Sequence, residues 1–495
     1  MKTENIKNKE LLFSIIIASI LFLLILINSG AVNSGYHMVD DHGTLDKVIA
    51  LRKPWSLFDN IVMSMKGDLT IRFRPLYVIS TCIKSKLLGS DINAWMYLAM
   101  CEGIVSWMLL YFFSRNLQFS VVESILFSTI VIFGKQIEPW YRALNQENEG
   151  MLLASAGLFY ISYLNKRDML EKKPKRIVLI IIITLCSMMK ESFSATVPLF
   201  ILFVLYLDFR KNTEAQTGEL LKRNFDILLS GIILFVIESV IILFYVGTNS
   251  VGYAGFSKED GASYYIHRII AYAKSEWRIY FYLGLIGVII FIWSLAKKVI
   301  NIKSRQNILL IFIFIYGVSS QLLLYAKVGM KGRYLLPFLL IWCAFFVLGI
   351  LHIAKNNNTI FKIYIITCSL CLVIGLSESF VSARKWSIEG EKTQNVLESI
   401  YENVIRVDAE SILVDMDAGE YNTSIISWWN YWHPDMGVSL YRKNEYGGFE
   451  TYFVIVTSYE SIYEDTYFSD MGLEREDYSI AEIEYPYVIA TYEKN

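Results

Sequence analysis

Cysteine, histidine and any excess of charge are all scarce in this 495-residue sequence, which has six cysteines, five histidines and a formal net charge of -1. Cys82, Cys101, Cys186, Cys343, Cys368 and Cys371 mostly sit in apolar runs, where a thiol behaves as a small hydrophobe. None lies beyond Cys371, so the C-terminal region has no disulfides. The histidines are scattered and form no zinc-like cluster. The chain has no overall basic character, which removes the case for a nucleic-acid partner. It carries no Walker loop, no glycine-rich dinucleotide fingerprint and no metalloprotease motif. Soluble nucleotide substrates are therefore not indicated. No internal repeat is found.

Apolar residues are abundant. The sequence is 54% hydrophobic and 15% aromatic, with a mean hydropathy of +0.41. Soluble domains are usually nearer to about 45–50% apolar and rarely hold so many long uncharged runs. The fold class expected is an α-helical polytopic membrane protein with a small C-terminal extracytoplasmic α/β domain.

Leu11–Ile27 is an uninterrupted apolar run, longer than the usual signal-peptide core of about 7–15 residues, and reads as an uncleaved first span. Ten more spans are expected, at 94–113, 119–134, 150–164, 177–189, 194–207, 225–246, 280–296, 308–325, 335–351 and 363–376, which makes about eleven. Several are shorter than the roughly 20 residues of an untilted span. The 177–189 and 194–207 segments could instead form a re-entrant hairpin with Lys190-Glu191 at its tip.

Positive charge sets the expected sidedness. With the N-terminus inside, the inner loops hold Lys166, Arg167, Lys172, Lys173, Lys175 and Arg176, then Arg210, Lys211, Lys222 and Arg223, then Lys297, Lys298, Lys303 and Arg305. The short outer loops hold only Lys135, Arg142, Lys190, Lys327, Lys331 and Arg333. This asymmetry assigns Asp40-Asp41 and the tail from Glu378 to the outside. The domains expected are a transmembrane domain over 1–377, with a large first outer loop at 30–91, and an outer α/β domain over 378–495.

The tail is acidic and rich in tyrosine. Trp386–Arg406 reads as an amphipathic helix, and 411–415 and 452–456 as short buried strands. Between them lies Ser427-Trp428-Trp429-Asn430-Tyr431-Trp432-His433-Pro434. Such a cluster could stack on sugar rings, or belong to a core or a membrane-interface belt.

Four groups could carry chemistry. Asp40 and Asp41 are adjacent carboxylates whose repulsion raises the pKa of one, and a carboxylate can act as general base toward a hydroxyl. The same Asp-Asp-His-Gly stretch is also good turn chemistry. Arg72 and Arg74 flank Phe73 before Pro75, which biases Arg74 to an extended conformation and suits both to phosphate or anionic lipid. Lys190-Glu191 lies between two apolar runs, where ionisable groups are paired or functional. Arg333-Tyr334 opens a late span on the cation-poor side and could hold a lipid-linked phosphate. The outer loop 135–149, with Glu147 and Glu149, could wall the same cavity or be ordinary loop polarity.

Their order is an Asp-Asp pair after the first span, Arg74-Pro75-Leu76, Lys190-Glu191-Ser192 after a middle span, and Arg333-Tyr334 at a late one. It resembles the GT-C superfamily of integral-membrane glycosyltransferases, nearest in flavour to the protein O-mannosyltransferases and their bacterial relatives. Arg74-Pro75-Leu76 and Lys190-Glu191-Ser192 are similar to a branch that usually carries tetratricopeptide repeats, which this chain lacks.

The resemblance covers roughly the first three-quarters of the chain. It implies an inverting transfer of sugar from a polyprenyl-phosphate donor to an acceptor hydroxyl at the outer membrane face. Asp40 or Asp41 would be the base, and Arg333, with Lys190 and Arg74 behind it, would hold the phosphate. The acceptor would be a glycan, a lipid or a protein. Some members of the superfamily use a divalent metal and others do not. The sequence shows no carboxylate cage, and metal stays open. A polysaccharide polymerase or ligase, and a non-enzymatic lipid-linked glycan transporter or scaffold, are the rival readings. A transporter would need polar residues along the middles of its spans, where Glu123 and Glu238 are the exceptions to otherwise clean runs.

Overall fold

A computed structural model describes residues 2–53, 56–212, 216–246, 262–301, 304–325, 332–417, 419–442 and 452–493. Of the outer-loop and inner-loop cations named above, Lys303, Lys327 and Lys331 lie outside these residues. The chain divides into two compact units. The first comprises Met1–Ser29, Ile61–Ser80 and Tyr97–Ala383, and the second Gly30–Asn60, Thr81–Met96 and Arg384–Asn495.

The first unit is helical. A helix occurs at each of the eleven segments expected to span, but only eight helices among the described residues are long and apolar enough to cross a membrane. These are Asn8–Ile27, Ile92–Asn116, Glu191–Lys211, Phe225–Val246, Arg278–Ala296, Arg305–Leu324, Leu336–Ala354 and Asn358–Arg406. The other three fall short for separate reasons. Val121–Ile132 has 12 residues and Lys173–Ser187 has 15, while Gln146–Lys166 opens on Gln146-Glu147-Asn148-Glu149.

Val121–Ile132 starts at a capping box. Ser120 accepts from Glu123 N, and the Glu123 side chain accepts from Ser120 N, so two orphan donors of the first turn are satisfied. Glu123 also accepts from Lys355 Nζ at 3.0 Å, and Glu238 accepts from Ser187 Oγ at 2.6 Å. Both carboxylates therefore have partners within the first unit.

The segment 30–91 is largely helical, with helices at His42–Arg52 and Leu57–Asp68. A further helix, Pro75–Leu88, begins on proline, whose missing N–H costs nothing in a first turn. None of the three is among the spans read from the sequence. The amphipathic segment 386–406 is the end of a 49-residue helix, Asn358–Arg406, rather than a separate element.

The second unit holds a five-stranded sheet with strands β1 (Ser411–Asp415), β2 (Ser439–Arg442), β3 (Val454–Ser458), β4 (Tyr478–Glu484) and β5 (Tyr487–Tyr492). The order is β2-β1-β3-β5-β4. β1 is parallel to β2 and to β3, with Leu413 opposite Ile455. β5 runs antiparallel to both β3 and β4. β1 and β3 are buried at every position, as uninterrupted apolar runs in a parallel pair should be. β4 is an edge strand that mixes buried and exposed positions and carries Glu482 and Glu484, which hides it in an acidic, tyrosine-rich sequence. Leu413, Tyr452, Ile455, Phe468 and Val488 belong to one buried cluster on this sheet.

The tryptophan-rich segment lies on a helix, Gly419–Trp432, between β1 and β2. Trp429 is buried and Trp432 is 54% exposed, so the cluster is part core and part surface. Helix Gly419–Trp432 also receives residues 36–38, since Tyr36 OH donates to Ser424 O at 3.0 Å and Ser424 Oγ donates to Met38 O.

Gly390 lets the long helix lie against residues 34–37. A Cβ there would fall 2.2 Å from Ser34 O and 2.8 Å from His37 Nε2. Backbone cannot yield as a flexible side chain can. Gly390→Ala is therefore expected to lower stability by about 1–3 kcal/mol, the usual range for overpacking, read as an earlier thermal unfolding transition of the detergent-purified protein.

Candidate active site

Each unit contains one cluster of the residues singled out from sequence. The first unit gathers Arg74, Lys190, Glu191, Arg333 and Tyr334. The second contains Asp40 and Asp41.

In the first unit the helix Lys173–Ser187 ends, the chain turns through Met188–Lys190, and a short helix restarts at Glu191. Lys190 sits at that break, 5% exposed. Its Nζ donates to Glu147 Oε1, on the first turn of Gln146–Lys166, and Glu147 is 0% exposed. The ammonium lies 4.2 Å from the ring centroid of Tyr334 and 5.5 Å from that of Tyr325. The two tyrosines stack with centroids 5.2 Å apart. A buried cation thus has a carboxylate on one side and two π-faces on another, which favours its charged form.

Burial pulls the Lys190 ammonium down to about 8, and the Glu147 carboxylate works against that pull. Burial pushes Glu147 up, but Lys190 and Arg333 outweigh it and hold the carboxyl below its usual range. Glu147 Oε2 is buried and without a partner, and an ammonium has two protons beyond the one given to Glu147.

Arg74 joins the same cluster by a different route. Its Nε and Nη2 donate to Asp68, at 3.0 and 2.6 Å to Oδ1, and Nη1 donates to Gln146 Oε1 at 2.6 Å. The guanidinium fork is spent on Asp68 and on the residue preceding Glu147. Glu191 accepts from Phe73 N at 2.6 Å, so the Lys190-Glu191 turn holds the Arg72–Pro75 segment through both backbone and charge. Arg72 donates its backbone N–H to Asp68 O at 2.8 Å, and its side chain is half-buried. The Arg333 guanidinium lies 5.4 Å from the Tyr334 centroid, and Arg333 N is 3.4 Å from Glu138 Oε2. Glu138 also pairs with Arg142.

Sequence reasoning placed Glu147 in a loop of undecided role and did not single out Asp68, Gln146 or Tyr325. The signal for Glu147 was present, because an ionised side chain opening an apolar helix needs a partner. Asp68 and Tyr325 lie on ordinary helix ends and carried no comparable sign.

In the second unit Asp40 takes a left-handed backbone, φ 71°, which asparagine and aspartate tolerate better than most residues. It is half-buried. Asp41 is 1% exposed, and its Oδ2 accepts from His37 N at 3.0 Å and lies 3.3 Å from His37 Nδ1. The two carboxylates are adjacent in sequence but differ in environment, one accessible and one enclosed. Among the described residues no group of three or more His, Cys, Asp or Glu side chains could hold a metal ion.

The first unit also holds a cavity of about 410 Å³ with mainly apolar walls that include Phe200, Phe203, Phe314 and Leu340. Thr196 and Pro337 line it too, each a few residues beyond Lys190 and Tyr334.

Replacing Lys190 with Met strands the Glu147 charge in the interior, and a loss of about 3–5 kcal/mol is expected for such a broken buried pair. Glu147→Gln should cost less, because an ammonium already drawn down to about 8 can shed its proton. Thermal unfolding of both variants in detergent gives the comparison.

No family model and no curated protein matches this sequence. Among solved structures, ArnT from Cupriavidus metallidurans in the apo state overlays with a TM-score of 0.48 at 10% identity, covering 98% of each chain. The same protein bound to undecaprenyl phosphate gives 0.43 at 11% identity, with 97% of each chain covered. The archaeal oligosaccharyltransferase AglB from Archaeoglobus fulgidus, in complex with an inhibitory peptide and a dolichol-phosphate, gives 0.47 at 10% identity, covering 96% of this chain and 73% of that one. At such scores and identities the likeness decides neither fold nor function.

Proposed function

We propose that this chain is a membrane glycosyltransferase of the GT-C type, moving a sugar from a polyprenyl-phosphate donor to an acceptor hydroxyl. The observation that carries this reading is the buried Lys190 ammonium, held by Glu147 beneath the Tyr325–Tyr334 stack in a bundle of apolar helices. A cation kept charged at such a position is costly unless it serves an anion. A lipid phosphate has the right charge, and its chain needs apolar walls. The 410 Å³ cavity is in the range of about 300–1,000 Å³ typical of ligand pockets and suits a segment of prenyl chain.

On the donor side, Lys190 and Arg333 stabilise the departing phosphate, since charge develops there as the anomeric C–O bond breaks. Arg74, whose fork is occupied by Asp68 and Gln146, braces the cluster. Arg72 remains a candidate for lipid phosphate at the surface. On the acceptor side Asp40 is the base. It takes the proton of the acceptor hydroxyl, the oxygen attacks the anomeric carbon, and polyprenyl phosphate leaves with the bonding electrons. One displacement of this kind inverts the anomeric centre. Asp41 is already committed to His37. The partners Lys355 and Ser187 account for Glu123 and Glu238 as structural groups, which weakens the transporter reading.

The test is incubation of the purified protein with radiolabelled polyprenyl-phosphate sugars beside Asp40→Asn. Loss of the base is expected to slow transfer by about 10²–10⁴-fold. Wild-type transfer by Asp40→Asn would remove Asp40 from the mechanism, and absence of binding to every donor would overturn the class. Donor binding should also weaken as pH rises through about 8, where Lys190 gives up its charge, measurable as a rising Kd between pH 7 and 9.

A further inference from the structure

The cavity of the first unit has a second end, to which the proposed transfer gives no task. Helix Glu191–Lys211 faces the cavity with Thr196, Leu199, Phe200, Phe203, Tyr206 and Arg210. These positions recur every three or four residues and form one face of the helix. At about 1.5 Å per residue, Thr196 and Arg210 stand about 21 Å apart along its axis. Thr196 marks the end near Lys190, and Arg210 marks the other.

Three helix ends meet at Arg210. Gln306 and Asn307 lie in the first turn of Arg305–Leu324, and His352 lies in the last turn of Leu336–Ala354 with Asn356 just beyond it. Gln306 Nε2 donates to Phe209 O at 3.1 Å, which fastens one of these ends to the residue before Arg210. Arg210, His352 and Asn356 are exposed, so the cavity opens here. Inward of them the walls are apolar, with Leu310, Phe314, Ile341 and Phe345.

Charge at this mouth has one sign. Among the described residues no Asp or Glu lines the cavity, and Arg210 is the only Lys or Arg that does. The carboxylates nearby in the chain have other partners. Asp208 accepts from Asn224 Nδ2 at 2.6 Å and from Asn212 Nδ2 at 2.7 Å, and Glu123 accepts from Lys355. The amides of Gln306, Asn307 and Asn356 each give one hydrogen to a backbone carbonyl, at 3.1, 2.9 and 3.0 Å, and each has a second to offer. A guanidinium and several N–H donors above an apolar channel suit an anion joined to a hydrocarbon chain. The mouth also lies at the ends of three helices long enough to cross a membrane, which is the depth of lipid head groups.

We propose that this end of the cavity binds the phosphate or carboxylate of an anionic lipid at Arg210, with one acyl chain laid along Phe203, Phe314 and Phe345. The site is separate from the Lys190 cluster and is entered from the other ends of the helices. A cavity of about 410 Å³ is near the lower limit for a single ligand, about 300 Å³, and holds one chain. The lipid and the prenyl segment of the donor therefore exclude each other, and the lipid is a competitive brake on transfer. That last step rests on the proposed function, while the lipid site stands without it.

The experiment uses the full-length protein in a neutral detergent, with bound lipid read by native mass spectrometry. The probes are lysophosphatidic acid, the monoacylglycerol with the same chain, and inorganic phosphate. Lysophosphatidic acid is expected to bind about tenfold more tightly than the monoacylglycerol, the scale of one hydrogen bond to a charged group. Inorganic phosphate is expected not to bind at the same concentration. Arg210→Gln should abolish the preference and leave monoacylglycerol binding as it was. Equal binding of the two lipids to the wild type overturns the head-group site, even if Arg210→Gln fails to fold. A preference that survives in Arg210→Gln puts the head group on another cation and overturns the assignment. Inorganic phosphate binding as tightly as the lipid overturns the lipid in favour of a free anion.

The brake is read with a radiolabelled polyprenyl-phosphate sugar. Lysophosphatidic acid at ten times its own Kd should raise the apparent Kd of the donor about tenfold in the wild type and only about twofold in Arg210→Gln, by mass action. A donor Kd that ignores the lipid overturns the exclusion. Absence of donor binding under every condition counts against the proposed function alone, and the comparison of the two lipids still decides the site.

Discussion

An ammonium group buried among apolar helices must be paired, and in this protein the pairing of Lys190 with Glu147 ties three otherwise separate stretches together. Lys190 sits at a helix break and Glu147 on the first turn of another helix. The neighbours of both, Glu191 and Gln146, fasten the Arg72–Pro75 segment. Tyr325 and Tyr334 cover the cation from two further elements. Removing one charge leaves the other in a medium that cannot solvate it. The helix ends that meet there are consequently fixed by electrostatics, where elsewhere in the bundle apolar packing suffices.

Packing also separates two neighbouring carboxylates in the second unit. Asp41 is enclosed almost completely and accepts from His37 N, while Asp40, one residue away, is half-buried. Two side chains of identical chemistry thereby acquire different surroundings. The segment that encloses Asp41 is itself packed against the long helix, where a glycine permits the approach. A sequence shows the dipeptide and its turn chemistry but not which carboxylate is enclosed.

Much of the helical architecture was legible because hydropathy and length are local properties. Each expected span coincides with a helix, and among the described residues eight helices meet the length and hydropathy needed to cross a membrane. Strands β1 and β3 were visible because buried parallel strands read as continuous apolar runs. β4 was not, since an edge strand interleaves tyrosine and glutamate with apolar residues, and neither was β5, a short interior run bounded by tyrosines. Among the site residues, Lys190, Glu191, Arg333 and Tyr334 stood out because ions and tyrosine at the margins of apolar runs are conspicuous. Asp68, Gln146 and Tyr325 did not, because nothing in their own surroundings marks them, and their partners are distant in sequence.

The sequence by itself determined the class of environment. Long uncharged runs, the bias of lysine and arginine between loops, and a polar tail with two apolar strand segments follow from the transfer energetics of single residues. Tertiary structure decided which charges meet. Lys190 could have paired with the adjacent Glu191, and it pairs with Glu147, because Glu191 is drawn to the backbone N–H of Phe73. The segment after the first expected span contacts the helix that follows β1, through Tyr36, Met38 and Ser424. Pairings of this kind depend on distances between residues far apart in the chain, and those distances exist only once the helices have packed.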